Sequence, residues 1–220
     1  MNKHQIRQIV VVLSVAATIL LNILANALPF NGQSTGEISD RFQVYFVPAG
    51  YVFSIWLFIY IGLAAYAVYQ AQPAQRENPY LAATGWLAAA SGLVNIIWLF
   101  FWHYNLFVLS LAAMLVLLSL LITIYIRLEI GRRTAPNGMI WAVNIPFSVY
   151  LGWITVATIA NASDVFYFLG WNGEPLAPEI WAVIMLAAAV LITTAVLLTR
   201  RDIAYSLVII WAAAGIAVKQ

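Results

Sequence analysis

Apolar runs about twenty residues long, joined by short polar connections and nearly free of charge, dominate this chain. In hydrocarbon the backbone cannot borrow hydrogen bonds from water, so each run must satisfy its own N–H and C=O groups as a helix. Such runs cover residues 8–28, 49–70, 81–102, 106–126, a fifth around 146–161, 180–199 and 203–218. The 220 residues supply seven crossings and little else, which predicts an all-α membrane protein with one transmembrane domain over 1–220. No length remains for a soluble catalytic module. The last run, at 1.5 Å per residue, reaches roughly 24 Å, enough to cross with snorkelling at Lys219.

Charge sets the expected orientation. With seven alternating spans, Lys3, Arg7, Arg76, Arg127, Arg132, Arg133, Arg200 and Arg201 fall on one side, leaving Arg41 and Lys219 of the ten cations opposite. Such a bias marks the cytoplasmic face. The expectation is an integral, multi-pass protein of a bacterial inner membrane, N-in and C-out, with Glu37, Asp40, Asp164, Glu174 and Glu179 outside. A cleaved signal peptide is the competing reading of the first run, since Ala25-Asn26-Ala27 fits a cleavage pattern, but the run exceeds the usual ~7–15 apolar residues. Net charge of +2 gives no sign of nucleic acid, and the absence of cysteine excludes disulfides, thiolate nucleophiles and iron–sulfur clusters.

No Asp, Glu, Lys or Arg is expected deep in a span, which argues against a pump or proton-coupled carrier. There is no acid–base pair, hydrolytic triad or phosphate-cradling loop, and His4 and His103 alone build no metal cluster. His103, between Trp102 and Tyr104, reads either as an anchor at the membrane boundary or as an axial ligand to a haem-like metal. What remains is an aromatic and amide inventory. In the fifth run Pro146, Tyr150, Trp153, Ala157 and Asn161 recur at steps of three or four, hence on one helical face. Trp56 and Tyr60 in the second run, and Asn95 and Trp98 in the third, form similar stripes. Indole and phenol rings with a few amides suit a large, flat, mostly apolar ligand with polar edges; the plainer reading is boundary belts and core filler. Gly85, Ala88, Ala89 and Gly92 are small residues at steps of four that permit close helix contact, either within the bundle or in a homodimer. The 29–47 connection is long enough for a lid, and Arg41 within it is a candidate partner for a ligand carboxylate.

The runs Asn95-Ile-Ile-Trp98, Trp153-Ile-Thr-Val-Ala-Thr-Ile-Ala-Asn161 and Pro48-Ala-Gly-Tyr-Val-Phe-Ser-Ile-Trp56 with Tyr60 resemble the TspO/MBR family, the tryptophan-rich sensory proteins called translocator protein in mitochondria. The likeness covers residues 6–171. It implies a five-helix bundle whose pocket, capped by the first connection, binds porphyrins and related hydrophobic ligands, often in a homodimer. It further implies that Trp56, Asn95, Trp98, Trp153, Ala157 and Asn161 line that pocket and that 29–47 is its lid. Tyr51 stands where the family usually has tryptophan, and residues 172–220, the two additional C-terminal helices, have no counterpart in the five-helix form. The resulting expectation is a membrane receptor or sensor holding a porphyrin or similar tetrapyrrole among the second, third and fifth helices, with no cofactor required. Light- or oxidant-dependent porphyrin breakdown and a structural or transport-associated subunit are the alternatives; nothing in the residue spacing establishes turnover.

Overall fold

The structure, a computed structural model, describes residues 2–42, 44–171 and 173–219. Among these every regular element is helical: α1 (Lys3–Ala27), α2 (Thr35–Ser39), α3 (Ile55–Ala71), α4 (Pro79–His103), α5 (Phe107–Arg127), α6 (Asn137–Met139), α7 (Ile145–Phe168), α8 (Pro178–Arg200) and α9 (Ile203–Lys219). Six helical stretches have the length and apolarity of a bilayer crossing, and α9 is a shorter apolar helix of 17 residues.

Five long helices close a ring in which each packs on two neighbours, in the order α1, α3, α7, α5, α4 and back to α1. The contacts follow from small and polar residues at helical spacing. α1 buries Arg7, Val11, Val15, Thr18, Asn22 and Ala25, which recur every three or four positions and lie against α4. There the seam of small residues is filled from within the chain. A Cβ on Gly85 would stand 2.7 Å from Arg7 Cδ and one on Gly92 would overlap Ser14 Oγ, while Ser14 Oγ donates to the Ala89 carbonyl at 2.8 Å. Gly85, Ala88, Ala89 and Gly92 therefore seat α1, and a second copy would have to displace it to use them.

α7 is reached through a π-helical turn over Ile140–Asn144. Pro146 explains the widening: its ring clashes with the carbonyl one turn back and it has no N–H to donate. The proline also lies where α3 and α7 cross, with only the hydrogen of Gly62 between them; a Cβ there would stand 3.0 Å from Pro146 Cβ.

Basic residues collect at one end of the bundle. Arg7 Nη2 donates to the Arg76 carbonyl (2.8 Å), Arg127 Nη1 to that of Ala83 (3.1 Å) and Arg200 Nη1 to that of Ile130 (3.4 Å), and Arg133 lies 3.5 Å over the Tyr80 ring. Arg41 and Lys219 are at the opposite end, with Asn105 and Asp40. Three charged residues near the helix ends are nonetheless nearly fully buried: Arg7 is the fifth residue of α1, Asp164 the fifth from the end of α7, and Asp202 lies between α8 and α9. Asp202 caps α9 and accepts from Tyr125 Oη (2.8 Å), Ser148 Oγ (2.6 Å) and the Tyr205 N–H (3.1 Å).

The two C-terminal helices behave differently. α8 buries Ala189 alone, so its circumference is free for lipid. α9 is sewn to the bundle along its length. Tyr205 Oη donates to Thr155 Oγ1, Trp211 Nε1 to the Val52 carbonyl, the Ala49 N–H to the Gly215 carbonyl, and Lys219 pairs with Asp40. Gly215 permits the closest of these approaches, since a Cβ there would overlap Val52 Cγ2.

Candidate functional site

The ring encloses a narrow hollow of about 40 Å³ lined by Phe53 and Trp56 before and on α3, Trp98 and Trp102 on α4, Met114 on α5, and Trp153, Ala157, Asn161 and Asp164 on α7. Thr35 and Ser39, at the two ends of α2, cover it. Beside it a more open cleft of about 560 Å³ lies between α1 and α3, lined by Asn22, Asn26, Leu57 and Tyr60 and sharing Thr35, Phe53, Trp56 and Trp98 with the hollow. The hollow alone admits only water-sized guests, whereas the cleft is within the range of small-molecule sites.

Each lining face has a local cause. On α4, Ser91, Asn95, Trp98 and Trp102 fall on the inward side and all are buried. On α7, Trp153, Ala157, Asn161 and Asp164 recur at steps of four, four and three. The first helix breaker after Asn161 is Gly170, which adopts φ +79°, so α7 continues to Phe168 and carries Asp164 inward instead of releasing it into the next connection. Sequence reasoning missed Asp164 for that reason, although its spacing from Asn161 was visible. Phe53, Trp102 and Met114 were likewise not among the predicted pocket residues.

The predicted residues divide into three groups. Trp56, Trp98, Trp153, Ala157 and Asn161 line the hollow, and Tyr60 lines the cleft, stacked on Trp56 at 5.6 Å between ring centres. Trp56 also meets Trp153 edge-on at 6.3 Å and Tyr150 at 6.2 Å. Asn95 and Tyr150 instead form a buried tie: Asn22 Nδ2 donates to Asn95 Oδ1 (2.8 Å) and Asn95 Nδ2 to Tyr150 Oη (3.1 Å), joining α1, α4 and α7. Asn161 Nδ2 donates to Ser110 Oγ (3.1 Å), which fixes α7 to α5. Arg41 is in neither cavity. Its guanidinium is exposed, donates to Asn105 Oδ1 (2.5 Å) and lies 5.7 Å from the Phe107 ring.

His103 is fully buried beneath the edge of Phe30, away from the hollow, and its Nδ1–H donates to the Leu99 carbonyl at 2.8 Å. It is the last residue of α4 and lines neither the hollow nor the cleft. Among the described residues no group of three or more His, Asp or Glu side chains is placed to hold a metal.

The covering segment is folded and pinned. Ser34 caps α2 by accepting from the Glu37 N–H while the Glu37 carboxylate accepts from the Ser34 N–H (2.7 Å), which holds the Glu37 carboxyl below its ordinary range. Trp102 Nε1 donates to the Thr35 carbonyl (3.2 Å), and Phe42 packs edge-on against Phe107 at 5.0 Å.

Three polar atoms around the hollow have no protein partner: the indole nitrogens of Trp98 and Trp153 and Oδ1 of Asp164, on side chains at most 5% exposed. Buried polar groups are paired in the great majority of cases. Two donors and one acceptor are thus left open around one aromatic cavity, while Arg7 Nε, Tyr66 Oη, His103 Nε2 and Asn144 Oδ1 are left open elsewhere in the interior.

A family model described as TSPO-like protein matches residues 8–220, a stretch that includes both C-terminal helices. No curated protein and no solved structure matches the chain.

Proposed function

Because the chain belongs to the TSPO-like family and forms a multi-pass membrane bundle, we propose that it is a membrane receptor or sensor for a flat, mostly hydrophobic ligand of the tetrapyrrole class. The ring of such a ligand lies in the cleft between α1 and α3, against Tyr60 and Trp56, and one edge enters the hollow between Trp98 and Trp153. The half-buried Trp56 is common to both cavities and is the side chain that must turn to join them. The observation that carries this reading is the convergence of three unpaired polar atoms on one aromatic hollow. Large aromatic faces supply contact area and the open N–H groups orient the guest. In the same reading the basic end, with Arg7, Arg76, Arg127, Arg133 and Arg200, faces the cytoplasm of a bacterial inner membrane.

Titration of protoporphyrin against tryptophan fluorescence in detergent tests the site. Saturable quenching is expected in the parent, with binding weakened roughly tenfold or more in Trp153→Phe and Trp98→Phe, each of which removes a buried hydrogen bond to the guest. Unchanged affinity in both variants would overturn the assignment.

A further inference from the structure

From the position of Asp164 we infer that the ligand edge lying beneath α2 carries a nitrogen hydrogen-bond donor, of the amide or amine type, and not a carboxylate. The inference rests on the reading of the hollow as a ligand site and adds the chemistry of one end of it.

Trp153 is the ninth of the 24 residues of α7 and Asp164 is eleven positions further along it, about 16 Å toward the covering segment, while Trp98 is the twentieth of the 25 residues of α4. Asp164 shares the hollow's wall there with Thr35 and Ser39. Of the three open atoms around the hollow, Asp164 Oδ1 is the one acceptor. A carboxyl group retains an oxygen lone pair in either protonation state, so Asp164 can accept from a donor in both.

No cation is hydrogen-bonded to it: Arg41, in the covering segment, is turned to Asn105, and Lys219, whose charge is felt at Asp164, is bonded to Asp40 at 2.7 Å. The hydroxyls nearby have other partners: Ser110 Oγ donates to the Phe107 carbonyl (2.7 Å) and Thr158 Oγ1 to that of Ile154 (2.6 Å). Neither the hollow nor the cleft is lined by Lys or Arg, so a ligand carboxylate placed there would be stripped of water with no cation on the wall to bond it and set beside an acidic group. An N–H group relieves the unpaired oxygen instead. An ester in the same place does neither.

Three probes share one ring and differ only at the edge: protoporphyrin IX as the diacid, its dimethyl ester and its primary diamide. Quenching titrations of the full chain in detergent are expected to rank diamide above ester above diacid, with the diamide bound roughly tenfold more tightly than the ester, as for one buried hydrogen bond. Asp164→Leu should erase the preference of diamide over ester, and Asp164→Asn, which keeps an acceptor oxygen, should retain most of it. If Asp164→Leu does not fold, the ranking in the parent and in Asp164→Asn decides. Equal affinities in the parent, or tightest binding by the diacid, would overturn the inference. If that occurs while Trp153→Phe still weakens all three, the site itself stands; if none of the three quenches, the site reading falls and takes the inference with it.

Discussion

Asn22 on α1 and Asn95 on α4 are both buried and joined by a 2.8 Å bond from Nδ2 of the first to Oδ1 of the second. Asn95 spends its own amide N–H on Tyr150, so a single side chain fixes the level of three helices around the hollow. Asn95→Ala should lower stability by about 1–2 kcal/mol, because it leaves Asn22 and Tyr150 without these partners in an environment with no water to replace them. A double-mutant cycle of Asn22→Ala with Asn95→Ala, read from unfolding in detergent, should give a coupling of about 0.6–1.7 kcal/mol. Strict additivity would mean that the bond does not form in the folded protein.

Asp202 tests the seating of α9. It accepts from Tyr125 on α5, Ser148 on α7 and the first turn of its own helix. Asp202→Ala should cost about 1–3 kcal/mol through the donors left unpaired. Limited proteolysis should then cut faster between α8 and α9 than in the parent.

Gly215 makes a sharper case. Any larger side chain there must displace Val52, and Gly215→Leu is expected to lift the end of α9 from the turn at Gly50–Ser54 and lower the melting temperature. Val52→Ala removes the opposing methyl groups and should restore part of the loss. A Gly215→Leu protein as stable as the parent, with Trp211 fluorescence unchanged, would show that the approach is looser than it is drawn.

The covering segment should respond to acid. Glu37 is held below its ordinary range by the hydrogen bonds of the Ser34 cap, so its contribution is present above the unfolded carboxyl pKa of about 4.3 and is lost as pH falls through the lower folded value. The protection of the amides over residues 35–39, taken relative to intrinsic exchange at the same pH, is expected to fall as the pH drops below about 4. Glu37→Gln keeps the acceptor without the titration and should flatten that profile.

Much of the bundle was legible from residue order because its strongest signals are local. The stripe Ser91, Asn95, Trp98 and Trp102 points inward as helical spacing requires, and the arginines gather at one end. Asp164 was misplaced because an acidic residue near aromatic ones reads as a membrane boundary, while the helix runs on to the next glycine. The contrast between α8 and α9 was hidden for another reason. Both are apolar, and only the meeting of Gly152 with Tyr205 and Val208, and of Gly215 with Val52, decides which helix is drawn into the protein. Asn95 and Tyr150 looked like groups awaiting a guest because a sequence does not reveal that they satisfy each other.

α9 runs from Asp202 near the basic end to Lys219 beside Asp40, and its 17 residues reach only about 25 Å, a little less than a typical hydrocarbon core. Through Gly215, Trp211 and Lys219 it is fastened to the same stretch of chain that roofs the hollow. A change in the seating of this short helix is therefore transmitted, through three separate contacts, to the segment between Asp40 and Val52.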